Sequence, residues 1–224
     1  MRFAEGWAEQ TTNEYVMGAR GDVKQPAGMK WVQPFGLHDL RQGSSVQTLR
    51  YPPDDVLVVS GLPGSGKSTL MRRCARAPLV DSQLVREEYE TRLPNWVPYP
   101  VYRPLVRAEH YWRLRQALRL GGPLVIQDSG ALPYVRTWLA RTAQSQRRHI
   151  HLLMLVTTAH EAMASQCARG RRVSSYAFTR HLQAVQTLHR LLITTSAPPA
   201  GFASTVLIDR AKAVRLREIR FGSV

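Results

Sequence analysis

The sequence predicts an α/β fold built on a parallel sheet. Two observations carry that reading. From residue 56 onward, short apolar segments alternate with longer segments of helical periodicity, and strands separated by helices are joined by crossovers into parallel sheets. The first strand-like segment also runs into a glycine-rich loop that opens directly into a helical segment.

The elements follow in order. Residues 56–60 (VLVVS) form an apolar run rich in β-branched residues, as expected of a strand buried on both faces. Residues 67–76 are helical and stop before Pro78. Residues 79–81 are short and strand-like, and 82–92 helical, with Ser82 as the expected N-cap. Residues 93–100 read as a loop holding Pro94, Pro98 and Pro100 with Trp96 and Tyr99. Apolar residues at 101, 105, 108, 112 and 118 give a helix that Gly121 and Gly122 end. A strand at 124–127, a helix at 133–143, a strand at 151–156, and helices at 159–168 and 176–193 follow. Residues 205–208 are expected to be the last strand, with 211–219 closing the chain. Ligands of such sheets sit at the carboxyl ends of strands, and Gly61, Asp81 and Asp128 all fall at such ends.

Residues 1–50 differ from the rest. They are rich in Gly, Gln and Thr, lack clear periodicity and carry isolated aromatics (Trp7, Tyr15, Trp31, Phe35). They read as an N-terminal extension that wraps the core, with a short strand near 29–32. Tyr51-Pro52-Pro53-Asp54-Asp55 is a turn that separates it from the main domain at 51–224.

Composition narrows the function. The longest apolar run, residues 152–156, is too short to cross a bilayer, and the N-terminus carries Glu5 and Glu9 with no apolar core of a signal peptide. Cys74 and Cys167 are the only cysteines and stand in no metal-ligand spacing, so no disulfide framework is expected and a cytoplasmic location is. The net charge is +15 and the pI about 10.8, which suits a polyanionic partner or a phosphorylated ligand. All but four of the 31 basic side chains are arginine and they are spread along the chain, a pattern that base composition also produces. Nucleic acid is therefore an open partner.

Gly61-Leu62-Pro63-Gly64-Ser65-Gly66-Lys67-Ser68 fits G-x-x-x-x-G-K-[ST], and Thr69 follows it. The glycines let the backbone approach phosphates closely. Successive N–H groups at a helix start make an anion cradle. Lys67 places a charge on the β- and γ-phosphates, and the Ser68 hydroxyl is a Mg²⁺ ligand. From this chain's own residue frequencies the chance of the motif arising is about 0.002. The loop predicts binding of ATP or GTP with Mg²⁺.

Further groups join it. Asp81 suits a general base, a holder of metal-bound water, or a helix cap. Arg86 suits a substrate phosphate or a local pair with Glu90. Asp128, before Ser129 and Gly130, suits a metal or substrate ligand, or a turn. Arg169-Gly170-Arg171-Arg172 lies on a loop between helices, where arginines can close over a transferring phosphoryl group. Trp96, Tyr99, Tyr102, Arg103 and Arg107 offer base stacking or core packing. His110, His181 and His189 have no metal-ligand spacing and receive no role.

With GLPGSGKST at 61–69, Asp81, Arg86, Asp128 and the arginines at 169–172, the chain resembles the P-loop kinases related to polynucleotide kinase, zeta toxins and small-molecule phosphotransferases. The resemblance covers residues 55–220. It implies a three-layer α/β/α P-loop NTPase with a five-stranded parallel sheet in the order 2-3-1-4-5 and a helical lid near 165–178. It implies Asp81 as the general base and Arg169 and Arg172 as ATP ligands. The chain departs from the group at Ser165 and Gln166, where a further lid arginine is expected, and no phosphatase or ligase domain is expected within these residues. The expected activity is an ATP-dependent phosphotransferase acting on a hydroxyl of a small molecule, a nucleotide or a nucleic-acid end. The rival is an NTP-driven regulatory protein whose basic surface holds nucleic acid or protein.

Overall fold

The computed structural model describes residues 31–43, 46–127, 132–168 and 175–222. The chain begins with β1 (Trp31–Val32), β2 (Gly36–Asp39), β3 (Thr48–Tyr51) and β4 (Val56–Gly61). It continues through α1 (Lys67–Cys74), β5 (Leu79–Val80), α2 (Ser82–Arg92), α3 (Tyr99–Leu120), β6 (Leu124–Gln127) and α4 (Pro133–Ser145). It then forms β7 (Ile150–Leu155), α5 (Ala159–Cys167), α6 (Ser175–Thr195), β8 (Ser204–Ile208), α7 (Arg210–Arg215) and β9 (Glu218–Phe221).

The main sheet runs β5-β6-β4-β7-β8-β2 with every pair parallel. Its five core strands stand in the expected order, and the sheet has six strands, not five, because β2 adds to the edge beside β8. β4 and β7 are buried along their whole length, as strands covered on both faces must be. One face packs on α1, α7 and a second parallel sheet, β1-β3-β9, through Leu49, Leu57, Met71, Val206 and Ile219. The other face packs on α3, α4 and α6 through Val58, Leu114, Leu139, Leu152 and Leu192.

Four sequence expectations need correction. β8 is not the last strand, because α7 ends at Arg215 and β9 pairs with β3. Residues 36–39 and 48–51 are strands that local pattern did not reveal. α3 starts at Tyr99, where Pro100 fits the first turn because its missing N–H has no partner to lose there. Asp81, not Ser82, caps α2: its carboxylate accepts from Gln83 N at 2.8 Å.

Two buried polar networks pin the amino ends of the strands. Asp55 lies between His149 N (3.0 Å) and His151 Nε2 (2.9 Å), and His151 Nδ1 faces Ser204 Oγ at 2.8 Å. Arg148, also buried, donates to the carbonyls of Asp54, Leu118 and Gly122. All of these sit at the edge of the sheet opposite the glycine-rich loop.

α3 and α6 lead into the amino ends of β6 and β8, so both run antiparallel to the strands. With 22 and 21 residues they are roughly 33 and 31 Å long, against roughly 20 Å for the six residues of β4. Their amino-terminal turns therefore overhang the carboxyl edge of the sheet and form two walls above it.

Candidate active site

The floor between these walls is the loop from β4 to α1. Gly61 ends β4 with φ of 147°, and a Cβ there would stand 2.7 Å from the Leu155 carbonyl of the neighbouring strand. Gly64 has φ of 89°, and its Cβ would meet the Ala162 carbonyl of α5 at 2.3 Å. These two glycines are required by close approach as well as by backbone conformation. Gln166 Nε2 donates to Pro63 O at 2.8 Å, so α5 holds the loop from above at the position where a lid arginine was expected.

The start of α1 is built for an anion. Its N-cap, Gly66, is left-handed (φ 102°) and supplies no capping side chain, whereas α2, α5 and α7 are capped by Asp81, Thr158 and Asp209. Around Gly66 the space where a Cβ would stand is empty. Ser65 Oγ is buried with no hydrogen-bond partner. Lys67 is buried and its ammonium donates to the carbonyls of Gly61 (2.8 Å) and Leu62 (2.9 Å), so it arches over the loop. An open cradle, an orphaned hydroxyl and a held ammonium fit the phosphates of a nucleoside triphosphate.

Ser68 Oγ donates to Gln127 Oε1 at 2.8 Å, which joins α1 to the carboxyl end of β6. That oxygen pair fits a hard cation such as Mg²⁺, which takes oxygen ligands. Sequence reasoning named Asp128 and passed over its neighbour Gln127. Asp128, Arg169 and Arg172 lie outside the described residues. Among the described residues no group of three or more His, Cys, Asp or Glu side chains could hold a metal.

Asp81 follows β5 at the same edge and is buried. Burial raises its carboxyl above the ordinary carboxylate range; the hydrogen bond from Gln83 N and the charges of Lys67 and Arg72 oppose that rise. The structure thus brings Asp81 into the field of Lys67. Arg86 is engaged elsewhere: it pairs with Glu90 at 2.7 Å, and its guanidinium lies 4.1 Å from the centre of the Tyr99 ring. Tyr102 packs with Tyr89 and Tyr99 in a small core between α2 and α3, while Trp96 is 82% exposed.

His181, on the overhanging part of α6, was given no role from sequence. Its Nδ1 is buried without a partner, and burial together with the charges of Lys67, Arg103, Arg180 and Arg107 lowers its pKa. Only the crossing of α6 above the loop reveals this position, since nothing in the spacing of residues 176–193 marks it.

No helix among the described residues is long and apolar enough to cross a membrane. Cys74 is buried against Leu216 O, Cys167 is exposed, and both are free.

No curated protein matches the sequence significantly. Among solved structures, a candidate kinase from Chloroflexus aurantiacus is similar in fold at 17% identity and a TM-score of 0.50, over 70% of this chain and 86% of that one. A structure of the PezAT chromosomal toxin-antitoxin system of Streptococcus pneumoniae aligns at 13% identity and a TM-score of 0.49, over 73% and 71% of the two chains. A gluconokinase from Sinorhizobium meliloti aligns at 18% identity and a TM-score of 0.39, over 75% and 95%. The family model described as an AAA domain matches residues 56–192, more than half of the chain and the whole stretch from β4 into α6, and the protein therefore belongs to that family of P-loop NTPases.

Proposed function

We propose that the protein is an ATP-dependent phosphotransferase that moves the γ-phosphoryl group of ATP to a hydroxyl. The observation that carries this reading is Asp81, a buried carboxylate with a raised pKa at the end of the strand next but one to the phosphate loop, in the field of Lys67. A hydrolase that only switches between nucleotide states has no need of a base on that side of the loop.

Each residue then has a task. The backbone of Gly64, Ser65, Gly66, Lys67, Ser68 and Thr69 binds the β- and γ-phosphates. Lys67 is positioned where negative charge moves during transfer. Ser68 and Gln127 would hold Mg²⁺, with Asp128 a further candidate ligand, and the ion would neutralise phosphate charge. Asp81 accepts the proton of the acceptor hydroxyl as its oxygen attacks. Arg169 and Arg172 are the candidates for neutralising the charge of the transferring phosphoryl group.

The test is an acceptor screen with γ-labelled ATP and Mg²⁺. Label on a hydroxyl compound supports the reading. Release of inorganic phosphate alone, unchanged by every acceptor and altered by single-stranded nucleic acid, would favour the regulatory NTPase with a basic binding surface.

A further inference from the structure

We propose that the acceptor carries an anionic group of its own, a phosphate or a carboxylate, which Arg103 and Arg107 of α3 bind opposite the phosphate loop. The inference rests on the phosphotransferase reading and adds the chemical class of the acceptor.

The argument starts from helix register. Arg103 and Arg107 are four residues apart and so share one face of α3. Both are exposed, while Tyr102 and Val106, beside them in sequence, are buried against α2. Both lie on the turns of α3 that overhang the carboxyl edge of the sheet. The wall on the other side is the overhanging part of α6, with Arg180 and His181, and the floor carries Lys67. Charges from three separate elements therefore act on one ring: those felt by His181, from Lys67, Arg103, Arg180 and Arg107, are all positive.

Among the described residues the counter-charge is missing here, as it is at Arg115 and Arg119, but not at the other arginines of the two helices. On the same α2–α3 pair, Arg86 has Glu90, Arg92 has Glu88, and Arg113 has both Glu88 and Glu109. Arg103 and Arg107 have no carboxylate partner among the described residues. His181 Nδ1 is likewise a buried polar atom without a partner. Like charges gathered without an anion repel one another, and an oxyanion relieves that repulsion while accepting forked hydrogen bonds from guanidinium. Lys67 already serves the nucleotide, so α3 supplies charge beyond the nucleotide's need. α3 also belongs to the connection between β5, which ends at Asp81, and β6. An anion on α3 would hold the rest of the acceptor near Asp81.

Two measurements test this. In the first, inorganic phosphate is titrated into protein saturated with Mg–ADP, for the wild type and for R103Q/R107Q. Both side chains are exposed, so the double variant should fold, as checked by circular dichroism. Phosphate affinity should fall by about 10- to 100-fold, the scale of two charge-assisted hydrogen bonds, with Mg–ADP affinity changed less than about twofold. No phosphate binding to the wild type, or equal binding to both proteins, overturns the proposal.

In the second, γ-labelled ATP is offered with glycerol, glycerol 3-phosphate and glycerate, and with a nucleoside and its monophosphate. Transfer should favour the charged member of a set by at least about tenfold in kcat/KM, and R103Q/R107Q should remove the preference by raising KM. The better of glycerol 3-phosphate and glycerate decides between phosphate and carboxylate. Equal use of neutral and charged members overturns the inference and leaves the phosphotransferase intact. Phosphate binding that depends on Arg103 and Arg107, without transfer to any compound, removes the phosphotransferase and leaves the anion site.

Discussion

Ser68 Oγ donates to Gln127 Oε1 over 2.8 Å and so ties the first turn of α1 to the strand end that leads to Asp128. If this pair holds Mg²⁺, Ser68→Ala should weaken nucleotide binding by about tenfold in the presence of Mg²⁺ and hardly at all in excess EDTA. Calorimetry under the two conditions checks it. Equal losses in both would mean that Ser68 acts only on the phosphates or the fold.

Lys67→Met keeps the side-chain stem and removes the charge. The Gly61 and Leu62 carbonyls lose the ammonium, though Leu62 O keeps Ser65 N, and the phosphates lose their cation. ATP affinity should fall by about 10- to 100-fold with the circular dichroism spectrum retained. Unchanged affinity by calorimetry would refute the phosphate-loop assignment.

The two glycines of the loop should respond differently to alanine. At Gly64 the new Cβ meets the Ala162 carbonyl, so Gly64→Ala must displace α5 as well as strain the backbone, at more than about 2 kcal/mol. At Gly66 the space is open and only the left-handed backbone objects, at about 1 kcal/mol. Denaturant unfolding of both variants gives the comparison. A smaller loss at Gly64 than at Gly66 would contradict the described contact with α5.

Asp81→Asn should separate activity from stability. The amide can still cap α2 but cannot accept a proton, so transfer should fall by about 10² to 10⁴, with ATP affinity nearly unchanged. The folded carboxyl has a raised pKa, so the folded state holds its proton more tightly than the unfolded chain. Its ionisation therefore lowers stability as pH rises from the ordinary carboxyl range through the folded pKa, and the deficit persists above it. The variant should match the wild type at low pH and equal or exceed it at neutral pH. Thermal melts across that range measure it, and a variant less stable only at neutral pH would reverse the sign.

Asp55 tests the opposite edge of the sheet. Asp55→Ala leaves His149 N and the buried His151 ring without their acceptor, at about 3–5 kcal/mol. Because the network lies at the amino ends of the strands, ATP affinity of the folded fraction should not change. Chemical denaturation with calorimetry at low temperature reads both quantities. A selective loss of ATP affinity without loss of stability would place the network in the site instead.

The sequence by itself determined the order of the five core strands' elements, the helices between them and the loop that joins β4 to α1. Those features are local: a run of apolar residues at 56–60, apolar spacing of three and four along 101–118, and glycines at fixed intervals around Lys67 carry their own physical cause. Only the tertiary structure decided the rest. β3 and β9 are four-residue strands with arginines at 50 and 220, and neither is stable until the other, some 170 residues away, supplies its hydrogen bonds. β2 has the same dependence on β8. Arg86 had two open partners in sequence, and the packing of α2 against α3 gave it to Glu90 and Tyr99. His181, Arg103 and Lys67 belong to three elements, and the charges of the other two act on His181 because two long helices overhang a short parallel sheet. Helix length is written in the sequence, but the space that two helices enclose depends on how both pack against strands between them, and no local pattern encodes that.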